Sequence, residues 1–258
     1  MQDKTQLGTV TSSIENGIAL IEFSHPAHNS MPSAQLARLT EAIRAAGEND
    51  LVKVIVLKSA GDRTFCAGAS FDELASIGDF ETGKGFFLGF ANVINAMRKC
   101  PKFILGRIQG KAIGGGVGLA AATDYCFATE AAAVKLSELA VGIGPFVVGP
   151  AVERKVGTSA FMQLAINATD WQSAAWAMEK GLYNALFPNI EQLDAHVLQL
   201  AERLSTANPE AMRQLKKVCW QSAEHWDTLL AERAAMSGQL VLSDFTKKAI
   251  EAFKQKAS

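Results

Sequence analysis

The sequence predicts an α/β core followed by a helical C-terminal layer, and three observations predict it. Short β-branched runs alternate with helix-forming stretches as far as about Val148. From there on the pattern turns largely helical. No repeat, low-complexity tract or long linker interrupts the 258 residues, which suit one large domain or one domain with an appendage.

Val10 to Ile14 and Ile18 to Phe23 are β-rich runs joined by Asn16-Gly17, a dipeptide suited to the positive φ of a hairpin turn. Ser30 is the expected cap of a helix with Pro32 in its first turn and Leu36, Leu39 and Ile43 on its buried face. Val54 to Leu57 reads as a buried strand, followed by a loop over Ser59 to Ser70 and a short helix from Phe71 to Ile77. Phe103 to Ile108 is a second buried strand, entered after Pro101, and Val117 to Ala122 is helix-forming. Tyr125 to Ala128 and Val134 to Leu136 read as further strands. Helices follow around Val152, Phe161 to Ile166, Ala174 to Lys180, Leu193 to Leu204 and Ala211 to Trp220. Two more, Thr228 to Leu240 and Asp244 to Lys256, end the chain. Their apolar positions, among them Leu229, Leu230, Met236, Phe245, Ile250 and Phe253, must be buried on the chain's own core or in a subunit interface.

Composition excludes several functions. Hydrophobic residues at 48% and charged residues at 20% are those of an ordinary globular protein. Twenty-five basic against 26 acidic residues leave no net field to attract nucleic acid or an anionic membrane. Cys66, Cys100, Cys126 and Cys219 form no CxxC pair and read as reduced thiols. Met1 to Thr11 lacks an apolar signal core and no stretch is long and apolar enough to span a bilayer, so a cytoplasmic location is expected. His25, His28, His196 and His225 are scattered, and neither HExxH nor GxSxG occurs, which argues against a metal site or a serine hydrolase.

Three glycine patterns compete. Gly78 to Lys84 matches the start of a phosphate-binding loop, but Gly85 stands where the magnesium-holding hydroxyl belongs, so Gly78 to Gly89 reads as a surface loop. Gly116-Val-Gly118-Leu-Ala-Ala121, with Glu138 20 positions beyond Gly118, fits a dinucleotide fingerprint, although Gly110-Lys-Ala-Ile lengthens a turn that must be tight. The third reading places Gly114 to Gly116 at a helix start, where unpaired N–H groups meet a ligand with no Cβ in the way. An amide there would be half of an oxyanion hole, and Cys66-Ala67-Gly68-Ala69 offers a second amide. Taken alone, the triple glycine fits close helix packing equally well.

The segments Thr64 to Ala69 and Ile108 to Asp124 together resemble the crotonase family of enoyl-CoA hydratases and isomerases. The His25-Pro-Ala-His-Asn29 turn, Ser137 to Gly142 and the helical tail resemble that family in order, over nearly the whole chain. The resemblance implies a spiral of ββα units over residues 1–195 and a C-terminal trimerisation region over 196–258, assembled as a trimer or hexamer. It implies an acyl-CoA substrate and no separate cofactor. The thioester carbonyl would be held by the amides of Ala69 and Gly115, beside Gly114. CoA would run past Ala27, His28, Ala67 and Gly68, and Phe253 and Lys256 would reach the CoA of a neighbouring subunit.

Family hydratases use two glutamates. The position of the first is Gly118 here, and the second corresponds to Glu138, the implied acid–base group. Ser70 replaces a usual acidic residue, and Pro145 and Phe146 would crowd the acyl pocket toward short or branched groups. One carboxylate is enough to move a proton between two carbons of an enolate, which fits a Δ3–Δ2 isomerase. A hydratase with one glutamate, decarboxylation or C–C cleavage of a β-carboxy acyl-CoA, and a catalytically weak acyl-CoA-binding protein are the alternatives.

Overall fold

The computed structural model describes residues 8–257, and of residues 254–257 only the backbone. A hairpin of β1 (Thr9–Glu15) and β2 (Ile18–Ser24) opens the chain, turning at Asn16 and Gly17 with φ of 50° and 80°. Helix α1 (Ser33–Glu48) then leads to β3 (Val54–Ser59), β4 (Thr64–Cys66), α2 (Phe71–Ser76) and α3 (Phe80–Lys99). β5 (Phe103–Ile108), β6 (Lys111–Ile113) and α4 (Gly115–Ala122) repeat that order, and β7 (Tyr125–Thr129), β8 (Val134–Lys135) and a 3-10 turn at Leu139–Val141 repeat it again. The rest is α5 (Gly149–Ile166), α6 (Ala174–Glu179), β9 (Ala185–Phe187), α7 (Ile190–Ser205), α8 (Pro209–Cys219), α9 (Trp226–Leu240) and α10 (Asp244–Ala257).

Each repeat gives its long strand to one sheet and its short strand to another. The first sheet runs β1-β2-β3-β5-β7-β9, parallel from β2 onward, and the second runs β4-β6-β8, parallel throughout. Strand β3 shows why its sequence is apolar without alternation. Ile55 and Leu57 enter the main core, whereas Val54 and Val56 pack on the other face beneath Leu193, Val197 and Ala201 of α7. A strand covered on both faces needs an apolar side chain at every position. The junction of α4 and β7 is tied down by Asp124, which accepts from Ile104 N (2.8 Å) and Trp220 Nε1 (2.9 Å) and pairs with the buried Lys216 ammonium at 2.7 Å.

Several expectations are corrected. Gly78 to Gly89 is not a loop: Asp79 caps α3 by accepting from Thr82 N at 2.8 Å, and the helix runs on through the glycines. Those glycines serve close packing, since a Cβ on Gly83 would come to 3.0 Å from Gly238 O of α9, and one on Gly89 to 2.8 Å from Leu36. Ser30 does not cap α1, because its Oγ lies 3.1 Å from His25 Nδ1. The helix begins after Pro32, and the Glu73 carboxylate accepts from Ser33 N at 2.7 Å. The short strands β4, β6 and β9 were not expected, whereas the two helices expected around Val152 and Phe161 are both present within α5, separated at Gly157, whose φ of 76° and ψ of 162° are not helical. Helix α7, which contains residue 195, packs on the first sheet. Gly116 and Gly118 belong to no dinucleotide turn but sit within α4, packed against Cys66 and Val148. Among the described residues no helix is long and apolar enough to cross a membrane.

Candidate active site

The second sheet positions the site. Its three parallel strands end side by side, and the segment leaving each carries one part: Ala67 to Ala69 after β4, Gly114 and Gly115 after β6, Ser137 and Glu138 after β8. A backbone bond from Gly114 N to Lys135 O, 2.8 Å, joins the second part to the third. The first and second touch at Gly68, where a Cβ would lie 2.8 Å from Ile113 O and 3.2 Å from Gly115 N. Gly68 also has φ of 83°, so two constraints require glycine there.

Ala69 and Gly115 both line the cleft, and the amide of each is left out of the neighbouring backbone pairing for a different reason. Ala69 bridges Met31 in parallel fashion, and the bonds around it are Met31 N to Gly68 O (2.8 Å) and Ser70 N to Met31 O (3.4 Å). That pattern uses the neighbours' groups and turns the N–H of Ala69 away from Met31. Gly115 opens α4, so its N–H belongs to the unpaired first turn and carries the positive end of the helix dipole. Gly114 turns the chain with φ 51° and ψ −116°, a conformation that residues with a side chain rarely adopt.

Glu138 sits on the turn after β8, its carbonyl accepting from Val141 N (3.2 Å) and Ile143 N (3.0 Å). The carboxylate faces Gly114 closely enough that a Cβ there would lie 2.9 Å from Oε1. Oε2 is enclosed and has no hydrogen-bond partner. Burial therefore pushes the carboxyl up from 4.5 to about 7.

All three parts line one cleft. Phe71, Leu74, Phe87 and Phe90 form one apolar wall, and Ile143, Pro145, Phe146 and Val148 another. Pro145 and Phe146 line the cleft as expected, with Phe146 folded over Gly144. Ser137, Glu138 and Ser237 are the polar side chains in the described lining, and no lysine or arginine is among them. The sequence reading missed Phe87, Phe90, Val148 and Ser237. A break in the apolar stripe of α9 (Trp226, Leu230, Ala234, Ser237, Gly238) was the one available signal for Ser237.

Ala27, His28 and Phe253 are not part of the described lining of the cleft. Ala27 and His28 are exposed on the turn after β2, with His28 at φ 53°, and Ala67 N donates to His28 O at 3.1 Å. Asn29 fixes that turn through bonds from Nδ2 to Ala60 O and Thr64 O, both 2.8 Å. Ser70 caps α2, its Oγ accepting from Glu73 N at 3.4 Å. Phe253 of α10 stacks on Phe71 of the same chain, centroids 4.4 Å apart. The Lys256 side chain lies outside the described residues. Among the described residues no group of three or more His, Cys, Asp or Glu side chains converges as a metal site would.

Residues 13–258 match the family model described as enoyl-CoA hydratase/isomerase, and the chain belongs to that family. It is 30% identical to methylglutaconyl-CoA hydratase of Mus musculus over 235 residues, 88% of this chain and 74% of the relative. It is 26% identical to the peroxisomal Delta(3,5)-Delta(2,4)-dienoyl-CoA isomerase of Arabidopsis thaliana over 270 residues, 98% of this chain and 95% of the relative. The fold superimposes on enoyl-CoA hydratase from Bacillus halodurans with a TM-score of 0.87 and 23% identity, covering 94% of this chain and 99% of that one. The ββα spiral expected of a crotonase-like protein is therefore the fold of this chain.

Proposed function

We propose that the chain transforms a short or branched acyl-CoA thioester through an enolate, with Glu138 as its one acid–base group and the amides of Ala69 and Gly115 holding the thioester oxygen. One observation carries this reading: a partnerless, enclosed Glu138 oxygen on a carboxylate that faces Gly114, in the cleft that Ala69 and Gly115 also line. Double-bond migration is the favoured reaction. The Glu138 carboxylate takes the C2 proton of a Δ3-enoyl thioester. The electron pair spreads into a dienolate whose oxygen accepts from the two amides, and the same proton returns to C4 to give the Δ2 isomer. No water enters and no second carboxylate is needed.

Val148 favours this over hydration, because it fills the space beside Gly118 where a second glutamate would stand. The uncharged lining speaks against a β-carboxylate substrate, whose charge would lie beside Glu138 without a counter-ion. Coenzyme A is part of the substrate in this reading, and no further cofactor is required. Assembly as a trimer or hexamer belongs to the same reading, with the exposed Met162 and Ile166 of α5 among the apolar surface available for it; light scattering tests it.

The test is incubation with 3-hexenoyl-, crotonyl- and 3-methylglutaconyl-CoA, with products identified by mass and double-bond position. An unchanged mass with a shifted double bond is expected from 3-hexenoyl-CoA. A gain of one water from crotonyl-CoA at a comparable rate would replace isomerisation by hydration. Tight binding with no turnover of any of the three would leave an acyl-CoA-binding protein.

A further inference from the structure

Ser237 is 1% exposed, yet its hydroxyl makes no hydrogen bond among the described residues, and it lines the cleft. The other buried hydroxyls behave differently. Those of Thr40, Thr123 and Thr129 donate to carbonyl oxygens at 2.9, 2.7 and 2.9 Å. Those of Ser30, Ser59, Ser70 and Thr246 pair with His25, Gln109, the amide of Glu73 and Ser243. A serine inside a helix ordinarily bonds back to the carbonyl one turn earlier, and Ser237 does not. Its Oγ is not one of the enclosed atoms without a partner, so the hydroxyl keeps its small exposure toward the cleft, and a ligand that displaces water there must replace the bond that water gives.

Ser237 adjoins Gly238, which crosses α3 at Gly83, one turn before Phe87. It therefore stands on the wall that α3 and α9 build, whereas Glu138 and the glycine turn come from the ends of the second sheet. Apart from Ser237, the described side chains that α2, α3 and α9 contribute to the lining are apolar: Phe71, Leu74, Phe87 and Phe90.

Building on the acyl-CoA reading above, we infer that Ser237 selects an acyl group bearing a neutral oxygen, a hydroxyl or a carbonyl, beyond the carbons that exchange the proton. A hydrocarbon tail would leave the hydroxyl unpaired. A carboxylate would enter a cleft that already holds Glu138 and presents no described cation. A neutral oxygen satisfies the hydroxyl and leaves the rest of the chain to the aromatic wall. Sites built to bond a substrate oxygen discriminate strongly against analogues that lack it.

The experiment compares kcat/KM for 3-hexenoyl-CoA with that for its 6-hydroxy and 5-oxo counterparts, in the wild type, Ser237→Ala and Ser237→Thr. The wild type should prefer at least one oxygenated thioester by roughly tenfold or more. Ser237→Ala should bring the values together, and Ser237→Thr, which keeps the hydroxyl, should retain the preference. A wild type without preference, or a preference unchanged in Ser237→Ala, overturns the inference. Binding of hexanoyl-CoA and 6-hydroxyhexanoyl-CoA, measured by calorimetry, reads the same selection without turnover. Selective binding that depends on Ser237, with no turnover, would keep the inference and sink the proton-transfer reading; turnover without selection would do the reverse.

Discussion

Val148 lies where a side chain on Gly118 would have to go: a Cβ there would come to 2.5 Å from Val148 Cγ1 and 2.6 Å from its Cβ. Both residues are buried, Gly118 inside α4 and Val148 just before α5, so neither can retreat into solvent. Gly118→Glu should therefore destabilise the fold by more than the roughly 1–3 kcal/mol of ordinary overpacking, because it also buries a charge. Gly118→Glu with Val148→Gly should recover part of that loss in urea denaturation. Equal stability of the single variant and the wild type would show that the two residues do not compete for space.

Glu138→Gln keeps the size of the side chain but cannot take a proton. Turnover should fall by roughly 10²–10⁴-fold while acyl-CoA binding stays within a few-fold, as read by steady-state kinetics and calorimetry. Full activity in this variant would remove Glu138 from the chemistry.

Gly114→Ala attacks the same carboxylate from the other side. The added methyl must adopt φ 51° and ψ −116° and would sit 2.9 Å from Glu138 Oε1. Strain of this kind costs about 1–3 kcal/mol. The variant should lose both stability and kcat, whereas Gly85→Ala, with nothing within 4 Å of its Cβ, should lose neither.

How much of this was legible in the sequence depended on whether a residue's reason lay nearby in the chain. The hairpin at Asn16-Gly17 and strand β5 (Phe103–Ile108) were read because turn chemistry and β-branching act locally. Helix α3 was missed because its glycines mimic a loop, and their reason, the crossing with Gly238 of α9, lies more than a hundred residues away. Of the second sheet only β8 was read, and its pairing with β4 and β6 was missed for the same reason. β4, β6 and β8 are two or three residues each, too short for any period, and only the parallel pairing brings Ala69, Gly115 and Glu138 together. Ser237 needed both the fold and the inventory of hydroxyl partners.

Phe253 stacks on Phe71, which lines the cleft, at an interplanar angle of 17°. Such pairs contribute about 0.5–1.5 kcal/mol beyond the area they bury. Phe253→Ala should loosen α10 from α2 and raise KM for the thioester more than it lowers kcat, because Phe71 loses its support while Glu138 keeps its own. A fall confined to kcat would show that α10 acts on the chemistry rather than on the wall.

The last prediction follows from the burial of Glu138. A base must be ionised to accept a proton, so kcat/KM should rise through a midpoint near the value of about 7 to which burial pushes this carboxyl, and level off above it. Stability should move the other way. The ordinary value for glutamate is 4.5, so between about 4.5 and 7 the folded protein holds a proton that the unfolded chain has released. The contribution of Glu138 to stability is thus fully present below 4.5 and is lost as pH rises through about 7. Glu138→Gln has no such proton to lose. Denaturation of the two proteins at intervals from pH 4.5 to 8 should show the wild type losing stability relative to the variant across that window. Parallel curves, or a wild type that gains on the variant as pH rises, would mean that the carboxylate is solvated or paired after all, and with it the midpoint near 7 would be lost.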